Sequence, residues 1–225
     1  MTHVLVEHFR KHRLLAIIRT DSARCALGIG RSIIAGGVRL VEVTLDTPGA
    51  EQVVGELRLC GDEVLVGCGT VLTPEAARRA IGWGAHFIVS PHTDVRIIEV
   101  ARAAGVLAMS GALTPNEIVA AYQAGADLIK IFPIAPVGGL AYLNALRGPF
   151  SDLPLVPTGG IGEADFADYL GAGALAVGVG HSLAPEREVA KGRWSTIANR
   201  ASEWLVRLGD QNRTSDGCLA VPEHR

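Results

Sequence analysis

Ala124-Gly-Ala-Asp-Leu-Ile-Lys-Ile131, followed at once by Phe132-Pro133, is the stretch that decides the fold. A helix-like segment ends at Gly125, and glycine suits the left-handed residue that closes a helix. The apolar run after it, stopped by Pro133, reads as a buried strand. The same phrase recurs on both sides. It stands at Ala35-Gly-Gly-Val-Arg-Leu-Val-Glu-Val43, Gly82-Trp-Gly-Ala-His-Phe-Ile-Val89, Ala104-Gly-Val-Leu-Ala-Met109 and Gly171-Ala-Gly-Ala-Leu-Ala-Val177. Three plainer apolar runs, at 14–18, 64–66 and 153–156, fill the gaps. Thr73-Pro74-Glu75 and Thr114-Pro115-Asn116-Glu117 mark helix starts, each with a capping hydroxyl, a proline at the first helical position and an acid in the first turn.

Eight alternating strand–helix units predict an α/β chain folded as a single (β/α)8 TIM barrel over residues 1–208. Residues 189–208 read as a closing helix, and 209–225 as a polar, flexible tail. A doubly wound open sheet is the alternative; no G-x-G-x-x-G follows the first strand, which counts against it.

The composition narrows the function classes. At 225 residues, 48% hydrophobic and with a formal charge of −2, the chain offers no electrostatic case for nucleic acid or an anionic membrane surface. Cys25, Cys60, Cys68 and Cys218 form no C-x-x-C pair, so free thiols in a reducing cytoplasm are expected. Residues 1–13 are broken by charges and histidines and do not read as a signal peptide. No apolar run approaches the ~18 residues of a membrane span.

Lys130 interrupts an apolar strand in a chain with three lysines. Lysine is almost never fully buried without a partner. Burial disfavours an ammonium charge, and a neutral amine is a nucleophile able to form a Schiff base with a carbonyl. Glu42 sits in the second strand in the same way. Alternation places each on the barrel-facing side, with Leu128 and Leu40 respectively. A structural ion pair is the plain alternative, yet a buried pair often stabilises little more than apolar replacements would.

Barrel chemistry gathers at the C-terminal strand ends. Those ends carry Arg19-Thr20, Asp46, Cys68-Gly69-Thr70, Ser90-Pro91-His92 and Ser110 in turn. The last two strands end in Thr158-Gly159-Gly160 and Gly178-Val179-Gly180-His181-Ser182. Two glycine-rich loops side by side, each before a helix, suit a phosphate.

On these residues the chain resembles the class I KHG/KDPG aldolases, which act on 2-keto-3-deoxy-6-phosphogluconate (KDPG). The matching segments are Gly36-Gly-Val-Arg-Leu-Val-Glu-Val-Thr44, Gly67-Cys-Gly-Thr-Val-Leu-Thr-Pro74, Phe87-Ile-Val-Ser-Pro91, Leu128-Ile-Lys-Ile-Phe-Pro133, Gly148-Pro-Phe150 and Val156-Pro-Thr-Gly-Gly160. The resemblance implies a Schiff-base lyase that yields pyruvate and glyceraldehyde 3-phosphate, and from 4-hydroxy-2-oxoglutarate yields pyruvate and glyoxylate. It implies Lys130 as the Schiff-base lysine and Glu42 as general acid/base. Thr70, Pro91 and an arginine would hold the substrate carboxylate. Thr158, Gly159, Gly160, Gly178, Gly180, His181 and Ser182 would hold the phosphate. It further implies no cofactor, a small-molecule phosphosugar-acid substrate, a cytoplasmic homotrimer and sugar-acid breakdown of the Entner–Doudoroff kind.

Two positions depart from the pattern. Asp46 replaces a frequent arginine, leaving Arg19 as the natural carboxylate clamp, and His181 replaces a usual serine. Galactonate-type aldolases of the same family share the Ile-Ile-Arg and Lys-Ile-Phe-Pro runs. Two other readings stay open: a metal-assisted barrel using Glu42, Asp46, His92 and His181, and a non-catalytic sugar-phosphate binder.

Overall fold

The helix stops work as their glycines require. Gly105 and Gly125 adopt φ of 68° and 87°, in the left-handed region, two and three residues before a strand. The helix starts are equally explicit. Thr73 Oγ1 accepts from the Ala76 amide, and Thr114 and Glu117 form a reciprocal capping box. The computed structural model describes residues 2–216.

These local rules build eight strands: β1 Leu14–Ile18, β2 Leu40–Thr44, β3 Leu65–Gly69, β4 Phe87–Val89, β5 Leu107–Ala112, β6 Leu128–Ile131, β7 Leu155–Pro157 and β8 Val177–Val179. The helices are α1 Thr2–His12, α2 Ala23–Ala35, α3 Ala50–Leu57, α4 Pro74–Gly82, α5 Val95–Ala103, α6 Pro115–Gln123, α7 Gly139–Arg147, α8 Phe166–Gly171, α9 Glu186–Ala190 and α10 Trp194–Asp216. The strands pair in parallel, in the order β7-β6-β5-β4-β3-β2-β1-β8. A parallel bridge between Thr158 and Gly178 joins β7 to β8 and closes the barrel.

Strand alternation sorts the apolar residues into two layers. Leu15, Leu40, Leu65, Phe87, Leu107, Met109, Leu128 and Val156 fill the interior, and Phe9 of α1 plugs its N-terminal end. The Phe9 and Phe87 rings meet edge to face, 5.1 Å apart. The alternate residues, such as Val41, Val43, Val66, Ile129 and Ile131, pack outward under the helices.

Several boundaries differ from the sequence reading. β7 begins at Leu155; before it, the Leu153 carbonyl accepts from the Leu155 amide and from the Arg147 guanidinium, which makes a local turn there. β8 begins at Val177, where the chain first pairs with β1. The closing helix expected over 189–208 is two helices, α9 and α10, separated by a left-handed Gly192 (φ 63°). That break lets the Trp194 ring lie against Gly28 of α2, where no side chain would fit. α1, the barrel plug, was not foreseen. Of the expected tail, residues 217–225, with Cys218, lie outside the described residues. Among the described residues no helix is long and apolar enough to cross a membrane.

Candidate active site

One pleat above the floor the barrel interior changes character. Two residues beyond Leu40 on β2 stands Glu42, and two beyond Leu128 on β6 stands Lys130. Both point inward, as alternation dictates. Lys130 Nζ lies 3.5 Å from Glu42 Oε1, with side chains 7% and 1% exposed. The second carboxylate oxygen, Oε2, is buried without a hydrogen-bond partner among the described residues. Such an orphan is unusual in a folded protein and calls for an explanation. Glycine at position 69 makes room for the carboxylate: a side chain there would collide with Glu42 Oε1. The Phe132 ring centroid is 5.3 Å from Lys130 Nζ, close enough for a cation–π contact.

The pair sits in a cavity of about 870 Å³ that opens at the C-terminal strand ends. On one side Arg19, after β1, donates from Nη2 to Thr70 Oγ1 at 2.9 Å, and its Nε lies 3.3 Å from Asp46 Oδ2. Thr70 has φ 58°, a left-handed value that costs a β-branched residue about 1–3 kcal/mol. Strain of that kind persists where the surroundings over-determine it, and it aims the Thr70 hydroxyl. Pro91 completes this side.

On the other side lie the loops after β7 and β8. Thr158, Gly159, Gly160, Gly178, Gly180, His181 and Ser182 all line the same cavity. Ser182 Oγ donates to the Ile161 carbonyl at 2.9 Å and ties the two loops together. Gly178 has no room for a Cβ beside the Thr158 hydroxyl, so glycine is what lets the barrel close here.

The twelve residues that the resemblance assigned to the lysine–carboxylate pair, the carboxylate clamp and the phosphate loops thus line one cavity. The four candidate metal ligands do not gather. Glu42 and His181 line the cavity, Asp46 stands behind Arg19, and the His92 carbonyl accepts from Ser90 Oγ at 2.6 Å. Among the described residues no three His, Cys, Asp or Glu side chains form a metal-sized cluster. Cys68, adjacent in sequence, faces the helices, and burial followed by the nearby Glu42 charge pushes its thiol up to about 12.

The sequence reading missed the outer wall. Cys25 and Ile29 of α2, with Ala184, Glu186, Val189 and Ala190 around α9, line the cavity too. The Cys25/Ile29 spacing of one helical turn was the available signal. It also took Asp46 as a lost clamp, where the geometry makes it a partner of Arg19.

Fold and cavity define a (β/α)8-barrel enzyme with its polar groups at the C-terminal ends of the strands. The model of the KDPG and KHG aldolases matches residues 5–200, and the chain belongs to this family of carbon–carbon lyases. A 2-dehydro-3-deoxy-phosphogluconate aldolase of Treponema pallidum is 31% identical over 205 residues, 91% of this chain and 98% of that one. A probable 2-dehydro-3-deoxy-6-phosphogalactonate aldolase of Rhizobium meliloti is 33% identical over 201 residues, 88% of this chain and 94% of its own. The crystal structure of a KDPG aldolase from Legionella pneumophila, with pyruvate captured at low pH as a covalent carbinolamine intermediate, superposes with a TM-score of 0.81. It is 28% identical and covers 88% of this chain and 96% of that one.

Proposed function

We propose that the protein is a Schiff-base aldolase that splits a 2-keto-3-deoxy-6-phospho sugar acid into pyruvate and glyceraldehyde 3-phosphate. The observation that carries this reading is the buried Lys130–Glu42 pair at 3.5 Å, set at the bottom of an open cavity. In its amine form Lys130 adds to the C2 ketone, giving a carbinolamine. Loss of water gives a protonated imine, an electron sink one bond from C3. Glu42 takes the C4 hydroxyl proton, directly or through a water, and the C3–C4 electron pair flows into the iminium. The aldehyde leaves, and the enamine of pyruvate regains a proton at C3. Hydrolysis then frees pyruvate and restores Lys130. Arg19 and Thr70 hold the carboxylate, and the loops after β7 and β8 hold the phosphate through backbone amides.

Two finer points belong to the same proposal. Cleavage of 4-hydroxy-2-oxoglutarate to pyruvate and glyoxylate needs the same donor end and none of the phosphate contacts. The enzyme works in the cytoplasm as a homo-oligomer, a trimer by family resemblance. A second reading, a 6-phosphogalactonate-type aldolase, is supported by the 33% identity to the Rhizobium meliloti protein and by Arg19 in its clamp position. The two differ in C4 configuration, which assay of both phosphorylated epimers separates.

The test of the shared chemistry is borohydride reduction in the presence of pyruvate, followed by peptide mass mapping. A reduced pyruvyl adduct on Lys130 is the expected result. A folded protein with no adduct would end the Schiff-base reading.

A further inference from the structure

We propose that Asp46 is a positioning residue that pre-sets Arg19 for the carboxylate of the donor ketone; this rests on the aldolase reading above. Asp46 itself does not line the cavity. It stands behind Arg19, with Oδ2 3.3 Å from Nε, while Thr70 Oγ1 accepts from Nη2 at 2.9 Å. Nε and Nη2 form one edge of the planar guanidinium fork; Thr70 holds its Nη2 corner by a hydrogen bond, and the Asp46 charge pairs with its Nε corner. Nη1 makes no hydrogen bond among the described residues. The end-on edge, Nη1 with the second proton of Nη2, is thus left for a two-oxygen anion. That is the geometry a carboxylate needs.

Asp46 is a suitable anchor because its backbone is stitched on both sides. The Leu45 amide donates to the Gly69 carbonyl at 2.9 Å, tying the loop to the end of β3. Thr47, itself buried, accepts from the Thr20 amide at 3.4 Å and shares a 3.2 Å hydroxyl contact with Thr44. The loop is therefore fixed to the ends of β1, β2 and β3, the three strands that frame this side of the cavity. Arg19, by contrast, is 61% exposed and would otherwise sample many rotamers. Because Thr70 accepts from the arginine, its own hydroxyl proton is left to donate to the bound anion. The aspartate that removes one clamp of the usual pattern therefore builds the other one.

An exposed ion pair has a modest effect, so the expected change is modest and specific. The experiment titrates pyruvate against the yield of borohydride-reduced adduct on Lys130. It compares the unsubstituted enzyme with Asp46→Ala, Asp46→Glu, Arg19→Met and the double variant Arg19→Met/Asp46→Ala. Asp46→Ala should raise half-saturating pyruvate by about fivefold, with the limiting adduct yield unchanged. Asp46→Glu should recover part of that loss, and Asp46→Ala should add nothing once Arg19 is gone. An unmoved half-saturation in Asp46→Ala overturns the inference, as does the same shift with Arg19 absent. Should Asp46→Ala not fold, Asp46→Asn removes the charge at equal size and is read by the same criteria. No adduct in the unsubstituted enzyme ends the aldolase reading itself and takes this inference with it. An adduct with the wrong variant pattern ends this inference alone.

Discussion

Leu40 and Glu42 on β2, like Leu128 and Lys130 on β6, are one pleat apart, yet the two levels of the barrel are built for opposite purposes. The floor is a closed apolar plug in which Phe9 and Phe87 meet. The mouth holds a buried ion pair and a left-handed threonine. Each of those features costs stability. The difference teaches that the floor supplies the free energy that the mouth spends. Substitutions should therefore separate cleanly into those that unfold and those that disarm.

The largest effect is expected from Lys130→Ala, which should lower aldol cleavage by at least about 10⁴-fold. Circular dichroism should still report a folded barrel. Glu42→Gln should slow turnover by about 10²–10⁴-fold while mass mapping still finds some pyruvate adduct on Lys130. On the floor the pattern should invert: Phe87→Ala should cost about 3–5 kcal/mol in denaturant unfolding, with kcat of the folded fraction nearly unchanged. A kcat loss there to match that of Glu42→Gln would erase the contrast. Gly69→Ala sharpens it from the other side, since the added methyl must displace Glu42. Stability should fall by about 1–3 kcal/mol, less than for Phe87→Ala, and kcat should fall by about 10²-fold, as for a catalytic group misplaced by about 1 Å.

The smallest effect is a pH dependence confined to the floor. Burial, then the neighbouring His8 and Lys11, lowers His12 from 6.5 to about 4. As pH drops below 6.5 the unfolded chain binds a proton there that the folded chain refuses until about 4. Stability should therefore fall as pH is lowered across that window. Burial lowers His8 and His86 in the same sense. Thermal melts of His12→Gln should show a flatter pH dependence between those limits, and an unchanged slope would remove His12 from the account.

Legibility in the sequence followed the physics of each element. The strands were readable because their boundaries rest on local signals, apolar runs after glycine stops, and β1, β2, β4 and β6 lie where those signals put them. Glu42 and Lys130 stood out because a charge in an apolar strand has few explanations. α1 was hidden by its surface charges, although Leu5, Val6 and Phe9 share one helical face toward the floor. The break at Gly192 depends on Trp194 finding Gly28, a contact between distant parts of the chain that no local pattern records. Asp46 was misjudged for a related reason. Its partner Arg19 lies a strand and a helix away, and the type of a residue says nothing of what it faces.

The outer wall of the cavity has a practical side. Ala184, Glu186, Val189 and Ala190 all belong to one run of seven residues, far along the chain from the lysine and its carboxylate. Where most barrel enzymes scatter such a wall over several loops, here much of it is one cassette. A library confined to residues 184–190 would reshape one wall of the cavity while leaving Lys130 and Glu42 untouched.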